Sequence, residues 1–269
     1  MICFPNCKIN LGLSITEKRT DGFHNIETVF YPVNVCDALE ISVSKSNKTD
    51  FVIDGLDIKG SLNDNLCLKA YDILKKDFDL PELKLHLIKR IPLGAGLGGG
   101  SSNAAFAIKM LNDLFSLKMN ESLMMNYAKN LGSDCAFFIK NKAVFAFGKG
   151  DEFEDIELDI SKYKIAIIKP EVHISTPLAY SKIIPLKKNR SVKEIIKMPV
   201  TDWKNYLVND FEKPIFEMYP VVREIKNKLY HLGAEYALMS GSGSAVFGLF
   251  KDNIDLHQHF SESFVWQEK

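Results

Sequence analysis

The chain has no long hydrophobic run. No segment approaches the ~20 apolar residues of a membrane-spanning helix. The opening MICFPNCKINLGL is interrupted by Pro5, Asn6 and Lys8, so it lacks the continuous apolar core of a secretory signal. Nor is there an excess of either charge: 34 Lys and Arg balance 34 Asp and Glu. Without a basic run or stripe, nucleic acid is not an expected partner, because binding a phosphate backbone needs clustered Lys and Arg. Cysteine is scarce and ill-suited to pairing. The five, Cys3, Cys7, Cys36, Cys67 and Cys135, are odd in number and form no Cys-x-x-Cys, which suits free buried thiols in a reducing compartment. No internal repeat or low-complexity tract occurs. These absences lead to the expectation of a soluble, cytoplasmic protein that meets neither nucleic acid nor membrane. Its partner would be a small molecule, with any anion gripped locally by a few donors.

What is present suits a globular protein. The 269 residues, 46% apolar and 25% charged, suffice for one large domain or two ordinary ones. Residues 6–15, NCKINLGLSI, alternate, with Cys7, Ile9 and Leu11 on one face and Lys8 and Asn10 on the other. Asp21-Gly22 suits a hairpin-type turn. Strand patterns recur at 37–44, 50–55 and 83–91, and helical ones at 63–78, 101–115 and 121–132. Ser101 or Ser102 can cap the second of these helices, and Gly132 is suited to the C′ position of the third. KAVFAFGKGDEF reads as a strand and a turn, and the acidic DEFEDIELD as a boundary between halves. Beyond it come a strand at 163–170 and a helix start after Pro170. Ser175 or Thr176 would cap that helix, with Pro177 just inside. Ser191–Glu194 fits a capping box. Two further helices are expected, the second stopped by Gly233, then two strands flanking the turn GSGS. Strands mixed with helices, without strict βαβ alternation, predict an α+β fold rather than a doubly wound sheet.

The stretch PLGAGLGGGSSNAA, residues 92–105, holds five glycines and no base, nucleophile or metal cage. Gly94, Gly96 and Gly99 match G-x-G-x-x-G, a weak signal alone. A dinucleotide-binding unit would place an acidic residue ~20 positions beyond the glycines. Here a second helical pattern follows, and Met119 and Asn120 occupy that zone. No G-x-x-x-x-G-K-[ST] occurs either. A strand, a glycine run and a helix start with two serines still gather unpaired backbone N–H groups and positive helix-dipole potential around one point. The stretch reads as a phosphate cradle, the alternative being a turn that binds nothing.

PLGAGLGGGSSNAA resembles the phosphate loop of the GHMP kinases. PNCKINLGL, DGFH, LGSDCAFF and SGSGSAVFG are similar, in the same order over nearly the whole chain, to further elements of that family. They are most similar to those of its members that act on a cytidine diphosphate-linked methylerythritol. The resemblance implies an N-terminal domain like the second domain of ribosomal protein S5, with a left-handed βαβ crossover, over 1–155. A ferredoxin-like domain over 156–269 would follow. It implies transfer of the γ-phosphoryl group of ATP, with Mg²⁺, to the 2-hydroxyl of the cytidylated alcohol, in non-mevalonate isoprenoid precursor biosynthesis. The alternative is a homoserine- or mevalonate-type kinase.

The resemblance also assigns roles. Asp134 matches the catalytic aspartate; on the residues alone it reads as a helix cap. Lys8 matches the catalytic lysine, lowering the hydroxyl's pKa, stabilising γ-phosphate charge and keeping Asp134 ionised; on periodicity alone it reads as a solvated strand lysine. The ATP loop comprises Pro92, Leu93, Gly94, Ala95, Gly96, Leu97, Gly98, Gly99, Gly100, Ser101 and Ser102, with Asn65 near the adenine. Ser101 or Ser102 would approach the phosphates or the metal, for which no carboxylate ligand other than Asp134 stands out. On the alcohol side stand Asn10, Phe23, His24, Thr176, Tyr180, Gly241, Ser242 and Gly243. Phe23 replaces the family's usual Tyr and Pro170-Glu171 its Pro-Gly, and GSDC lacks its proline. Asn209–Glu212, NDFE, reads as packing.

Overall fold

The computed structural model describes residues 1–57 and 61–268. Strands β1 (Ile2–Cys3), β2 (Asn6–Lys18) and β3 (His24–Cys36) lead to β4 (Ala38–Val43) and β5 (Asp50–Gly55). Helix α1 (Leu66–Asp77), strand β6 (Leu83–Lys89) and helices α2 (Gly99–Leu114), α3 (Glu121–Leu131) and α4 (Cys135–Lys140) follow. Then come β7 (Val144–Phe147), β8 (Glu152–Asp155) and β9 (Lys164–Pro170). Helices α5 (Thr176–Ser181), α6 (Val192–Ile195), α7 (Val200–Tyr206), α8 (Glu212–Met218) and α9 (Pro220–His231) precede β10 (Tyr236–Met239), β11 (Val246–Phe250) and β12 (Ser263–Gln267). The chain forms two compact units, each discontinuous in sequence. Met1–Cys7, Asn34–Leu93 and Gly98–Lys142 make the first; Lys8–Val33, Gly94–Leu97 and Ala143–Lys269 make the second.

In the first unit a sheet of order β1-β4-β6-β5 carries α1 to α4. Strands β4 and β6 pair antiparallel and β5 and β6 parallel, so β5-α1-β6 is a βαβ unit. Alternation along β6 buries Leu83, Leu85 and Leu87 completely. Ala104, Ala105, Ala107, Ile108 and Leu111 are all fully buried, so α2 is the unit's central helix; α1, α3 and α4 pack around it. Such a helix holds its first turn rigidly.

The second unit contains a sheet of order β10-β11-β9-β12, antiparallel throughout. Taken in chain order from β9, that is the 2-3-1-4 arrangement of a ferredoxin-like split βαβ, with α5 to α9 between its first two strands. Ile168, Met239 and Val246 of the sheet share a core with Val222, Ile225 and Leu229 of α9. The other sheet has order β2-β3-β7-β8. Asp21-Gly22 does turn the β2–β3 hairpin, closed by a bond from Arg19 N to Phe23 O of 2.8 Å. Gly233 does stop α9, with its N–H on Tyr230 O and that of Ala234 on Leu229 O.

Several elements differ from the sequence reading. Strands β1, β3 and β12 are additional. By contrast, β9 running to Pro170 and α5 capped by Ser175, with Pro177 in its first turn, are as the sequence indicated. Three helices rather than two follow α6, because Pro214 falls in the first turn of α8 and Pro220 starts α9 afresh. Glu152–Asp155, in the acidic stretch, form β8 and pair antiparallel with β7. Gly132 is the C-cap of α3 with φ 167°, extended backbone open to any residue, and is not a left-handed C′ glycine. Among the described residues no helix is long and apolar enough to cross a membrane, and all five cysteines are free.

Candidate active site

The phosphate loop passes from one unit to the other, and its two parts are held differently. Gly94–Leu97 belong to the second unit, where they lie against the turn between β10 and β11. Ser240 donates its hydroxyl to Gly96 O at 2.9 Å, and Ala245 N donates to Ala95 O at 3.2 Å. Gly96 has φ +74°, and a Cβ there would stand 1.9 Å from Ser240 O. Backbone meets backbone, and only glycine fits. Gly96 is therefore demanded by the second glycine turn, whatever else the loop meets.

Gly98–Ser102 belong to the first unit and open α2. The sequence reading placed a serine cap here. Instead the N-cap is Gly98, with φ 70° and ψ 17° and no side-chain cap bond, and both serines lie within the first turn. Left-handed backbone at Gly98 starts the helix three residues earlier than a cap at Ser101 would, and no side chain caps its first amides. The Ser102 hydroxyl is completely buried and has no hydrogen-bond partner. An uncapped N-terminus, glycines without Cβ and an orphaned buried hydroxyl fit an anion bearing several oxygens.

Three buried side chains missed at the sequence level fix this start. Lys89 Nζ contacts Asp37 Oδ2 and donates to Asn103 Oδ1 at 3.0 Å, and Asn103 Nδ2 donates to Asp37 Oδ2 at 2.8 Å. Asp37 Oδ1 accepts from Arg90 N and Ile91 N at 2.7 and 2.8 Å. The triad ties the end of β6 to the second turn of α2. Its signal was present in the alternation of β6, which sets Lys89 on the same face as the buried Leu83, Leu85 and Leu87. A lysine there needs partners.

Asp134 occupies the N-cap position of α4, but its carboxylate makes no cap bond, so the cap reading does not hold. The next residue, Cys135, is hydrogen-bonded to Ser101. That places the start of α4 beside the first turn of α2. Burial pushes the Cys135 thiol up to about 12 against the hydrogen bond from Ser101, and the neighbouring Asp134 charge pushes the same way as burial. Asn65 caps α1 by accepting from Cys67 N at 2.9 Å, and the following Leu66 lies 4.0 Å from where a Gly100 Cβ would be. Asn65 thus stands near the loop with its oxygen already engaged.

In the second unit Lys8 is 3% exposed, which excludes a solvated strand lysine. Residues 6–15 of β2 are buried on both faces, so alternation there does not separate inside from outside. Lys8 N donates to Leu97 O at 3.0 Å, which fixes the strand to the phosphate loop. Its Nζ donates to Asn10 Oδ1 at 2.5 Å and lies 4.7 Å from the centre of the Phe30 ring. Asn10 is equally buried: its amide donates to Thr28 Oγ1 at 3.0 Å and its N–H to Ser240 Oγ at 3.2 Å. Lys8, Asn10, Gly96 and Ser240 form one polar cluster.

Of the three rings expected to hold a base, His24 and Tyr180 are together and Phe23 stands apart. His24 stacks on Tyr180 with centroids 4.9 Å apart at 26°, and Phe211 meets Tyr180 edge-on at 4.8 Å. Burial, and secondarily the Lys18 charge, lower the His24 pKa below its ordinary value, keeping the ring neutral around pH 7. Phe23 is 59% exposed at the hairpin tip, with Lys149 Nζ 5.2 Å from its ring centre. Thr176 Oγ1 lies 3.3 Å from Ser242 Oγ, joining the start of α5 to the second glycine turn, and Ser175 is the cap of α5.

Residues 65–142 match the GHMP kinases N terminal domain, and residues 188–258 the GHMP kinases C terminal. The chain is 54% identical over 270 residues to the 4-diphosphocytidyl-2-C-methyl-D-erythritol kinase of Bacteroides fragilis, covering 99% of this chain and 98% of that protein. The chain belongs to that family of GHMP kinases. The same-named protein of Parabacteroides distasonis is 48% identical over 269 residues, at 99% and 98% coverage. A crystal structure of 4-(cytidine 5'-diphospho)-2C-methyl-D-erythritol kinase superposes with a TM-score of 0.84 at 28% identity, covering 99% of this chain and 98% of that one. A mevalonate kinase structure reaches a TM-score of 0.75 at 14% identity, with coverage of 99% and 98%, and shares the fold. The two-domain α+β architecture is that of the GHMP kinases.

Proposed function

We propose that the protein transfers the γ-phosphoryl group of ATP to the 2-hydroxyl of 4-diphosphocytidyl-2-C-methyl-D-erythritol, giving the 2-phosphate and ADP. One observation carries the phosphate half: α2 opens uncapped beside the orphaned Ser102 hydroxyl, in a chain 54% identical to a kinase of that name. The stacked His24 and Tyr180 support the cytidine half, since a base gains ~1–3 kcal/mol from each aromatic face. The amides and glycines of 98–102 hold the triphosphate, with Asn65 towards the adenine. Phe23, His24, Thr176, Tyr180 and Gly241–Gly243 hold the alcohol.

In the reaction the 2-oxygen forms a bond to the γ-phosphorus while the bond to the β–γ bridging oxygen breaks. The hydroxyl proton passes to the Asp134 carboxylate, and the bridging oxygen's electron pair leaves with ADP. Phosphoryl transfer is loose, so orienting the hydroxyl matters as much as early deprotonation. Lys8, held in place by Asn10, offsets charge on the transferring group. Among the described residues no group of three His, Cys, Asp or Glu side chains could hold a metal. Mg²⁺ would enter with ATP, with Ser101 or Ser102 beside it, and would supply charge neutralisation. The two domains are taken as 1–155 and 156–269. ADP release with Mg-ATP, measured across the cytidylated erythritol, homoserine, mevalonate and galactose, tests the reading; turnover of any of the last three would overturn it.

A further inference from the structure

Asn209–Phe211 lie between α7 and α8 and Glu212 opens α8; the sequence alone indicates no chemistry for them. Their side chains nonetheless tie down three separate parts of the second unit that the proposed function uses. Asn209 is 3% exposed; its amide donates to Met239 O at 2.7 Å and Gly241 O at 2.8 Å, and its oxygen accepts from Phe211 N at 3.0 Å. Glu212 Oε1 accepts from Met239 N at 3.0 Å. Both backbone groups of Met239, the last residue of β10, are thus held from one segment, and so is the first carbonyl of the second glycine turn.

The same segment anchors β2. Leu13 N donates to Val208 O and Asp210 N to Leu13 O, each at 2.9 Å. Asp210 Oδ2 accepts from Ile15 N at 2.7 Å, and Oδ1 accepts from Lys188 Nζ at 2.5 Å. Lys8 and Asn10 lie just upstream on that strand. Phe211 supplies the ring edge that backs Tyr180 while His24 covers a face of Tyr180.

We propose that Asn209–Glu212 is a positioning element for the alcohol substrate, with Asn209 setting the direction of the second glycine turn. Resting on the assignment of Gly241–Gly243 and Tyr180 to the alcohol, it goes beyond that assignment by naming what holds them. Glycines have no side chains to pack, so the aim of their amides depends on hydrogen bonds to the carbonyls beside them. The bonds from this turn to the phosphate loop run through Ser240 Oγ and Ala245 N, which Asn209 does not touch. Loss of Asn209 therefore acts on the alcohol and spares ATP.

The test measures KM for each substrate, thermal midpoint and amide hydrogen exchange in Asn209→Leu, Asn209→Asp and Phe211→Leu. Ile225→Ala, in the core of the second unit, serves as the control for destabilisation alone. The Asn209 variants are expected to lose about tenfold to hundredfold in kcat/KM for the alcohol, as sub-ångström misplacement does. KM for ATP should stay within about twofold, and exchange should quicken at Gly241–Ser244 only. Phe211→Leu is expected to raise KM for the alcohol alone, and it carries the test should Asn209→Leu not fold. An unchanged KM for the alcohol at the same loss of thermal midpoint as Ile225→Ala would overturn the proposal. So would a parallel rise in both KM values. If the wild-type enzyme proves to use another alcohol, the substrate assignment fails; the exchange pattern and the KM split with that alcohol still decide the role of Asn209.

Discussion

At the scale of single residues, four positions carry separable expectations. Asp134→Asn should lower kcat by about 10²–10⁴ while KM for ATP changes little, because the loss falls on the proton-accepting or orienting role; near-normal turnover would remove Asp134 from the chemistry. Ser102→Ala removes a buried hydroxyl without a partner, whose burial costs ~1–3 kcal/mol. The variant should melt no lower than the wild type and still show a raised KM for ATP, a combination that simple destabilisation does not produce. Gly96→Ala should cost more than about 2 kcal/mol in denaturant unfolding, since a left-handed conformation and a backbone clash coincide there. Glu212 is 8% exposed, and burial raises its pKa against the Lys226 charge. A carboxyl with a higher pKa folded than unfolded takes up protons on folding, so it favours the native state as pH falls towards its unfolded value. The wild type's thermal midpoint, taken relative to Glu212→Gln, should accordingly rise between pH 8 and pH 5. A flat difference would show that the carboxyl titrates normally.

At the scale of elements, the first turn of α2 is set by the buried triad beneath it. Removing one partner of a buried ion pair leaves an uncompensated charge and costs about 3–5 kcal/mol. Lys89→Met should lose that much in chemical denaturation, and Lys89→Met with Asp37→Asn should recover part of it; equal losses in single and double variants would exclude coupling. The periodicity of β6 and α2 showed these elements in the sequence because each has one consistent buried face or stripe. Strand β2 was placed correctly but its faces were not, since ten successive residues are buried and alternation has no meaning there. Strands β3 and β12 were missed for a related reason. The first mixes polar and apolar residues along HNIETVFYPVNVC, and the second, SFVWQ, is half-buried throughout. Neither offers the period-two contrast by which a strand is recognised.

At the scale of the whole molecule, the architecture and most of the candidate site were legible in short motifs. The supports were not. Gly98–Ser102 stand out by composition, whereas Lys8 and Asp134 stand out only through the motifs around them, since residue type alone reads them as a solvated strand lysine and a helix cap. The alternation of β6 signals a buried Lys89, but Asp37, Lys89, Asn103 and Asn209 act through bonds to residues 14 to 66 positions away, and no local pattern says which residue the partner is. The proposed function rests on family membership, on the uncapped start of α2 beside the Ser102 hydroxyl, and on the stacked His24 and Tyr180. The most direct measurement is ADP release with Mg-ATP across the four alcohols. Turnover strictly dependent on 4-diphosphocytidyl-2-C-methyl-D-erythritol, and lost in Asp134→Asn, is the result this account predicts. Turnover of homoserine, mevalonate or galactose, or none with the cytidylated alcohol, would contradict it.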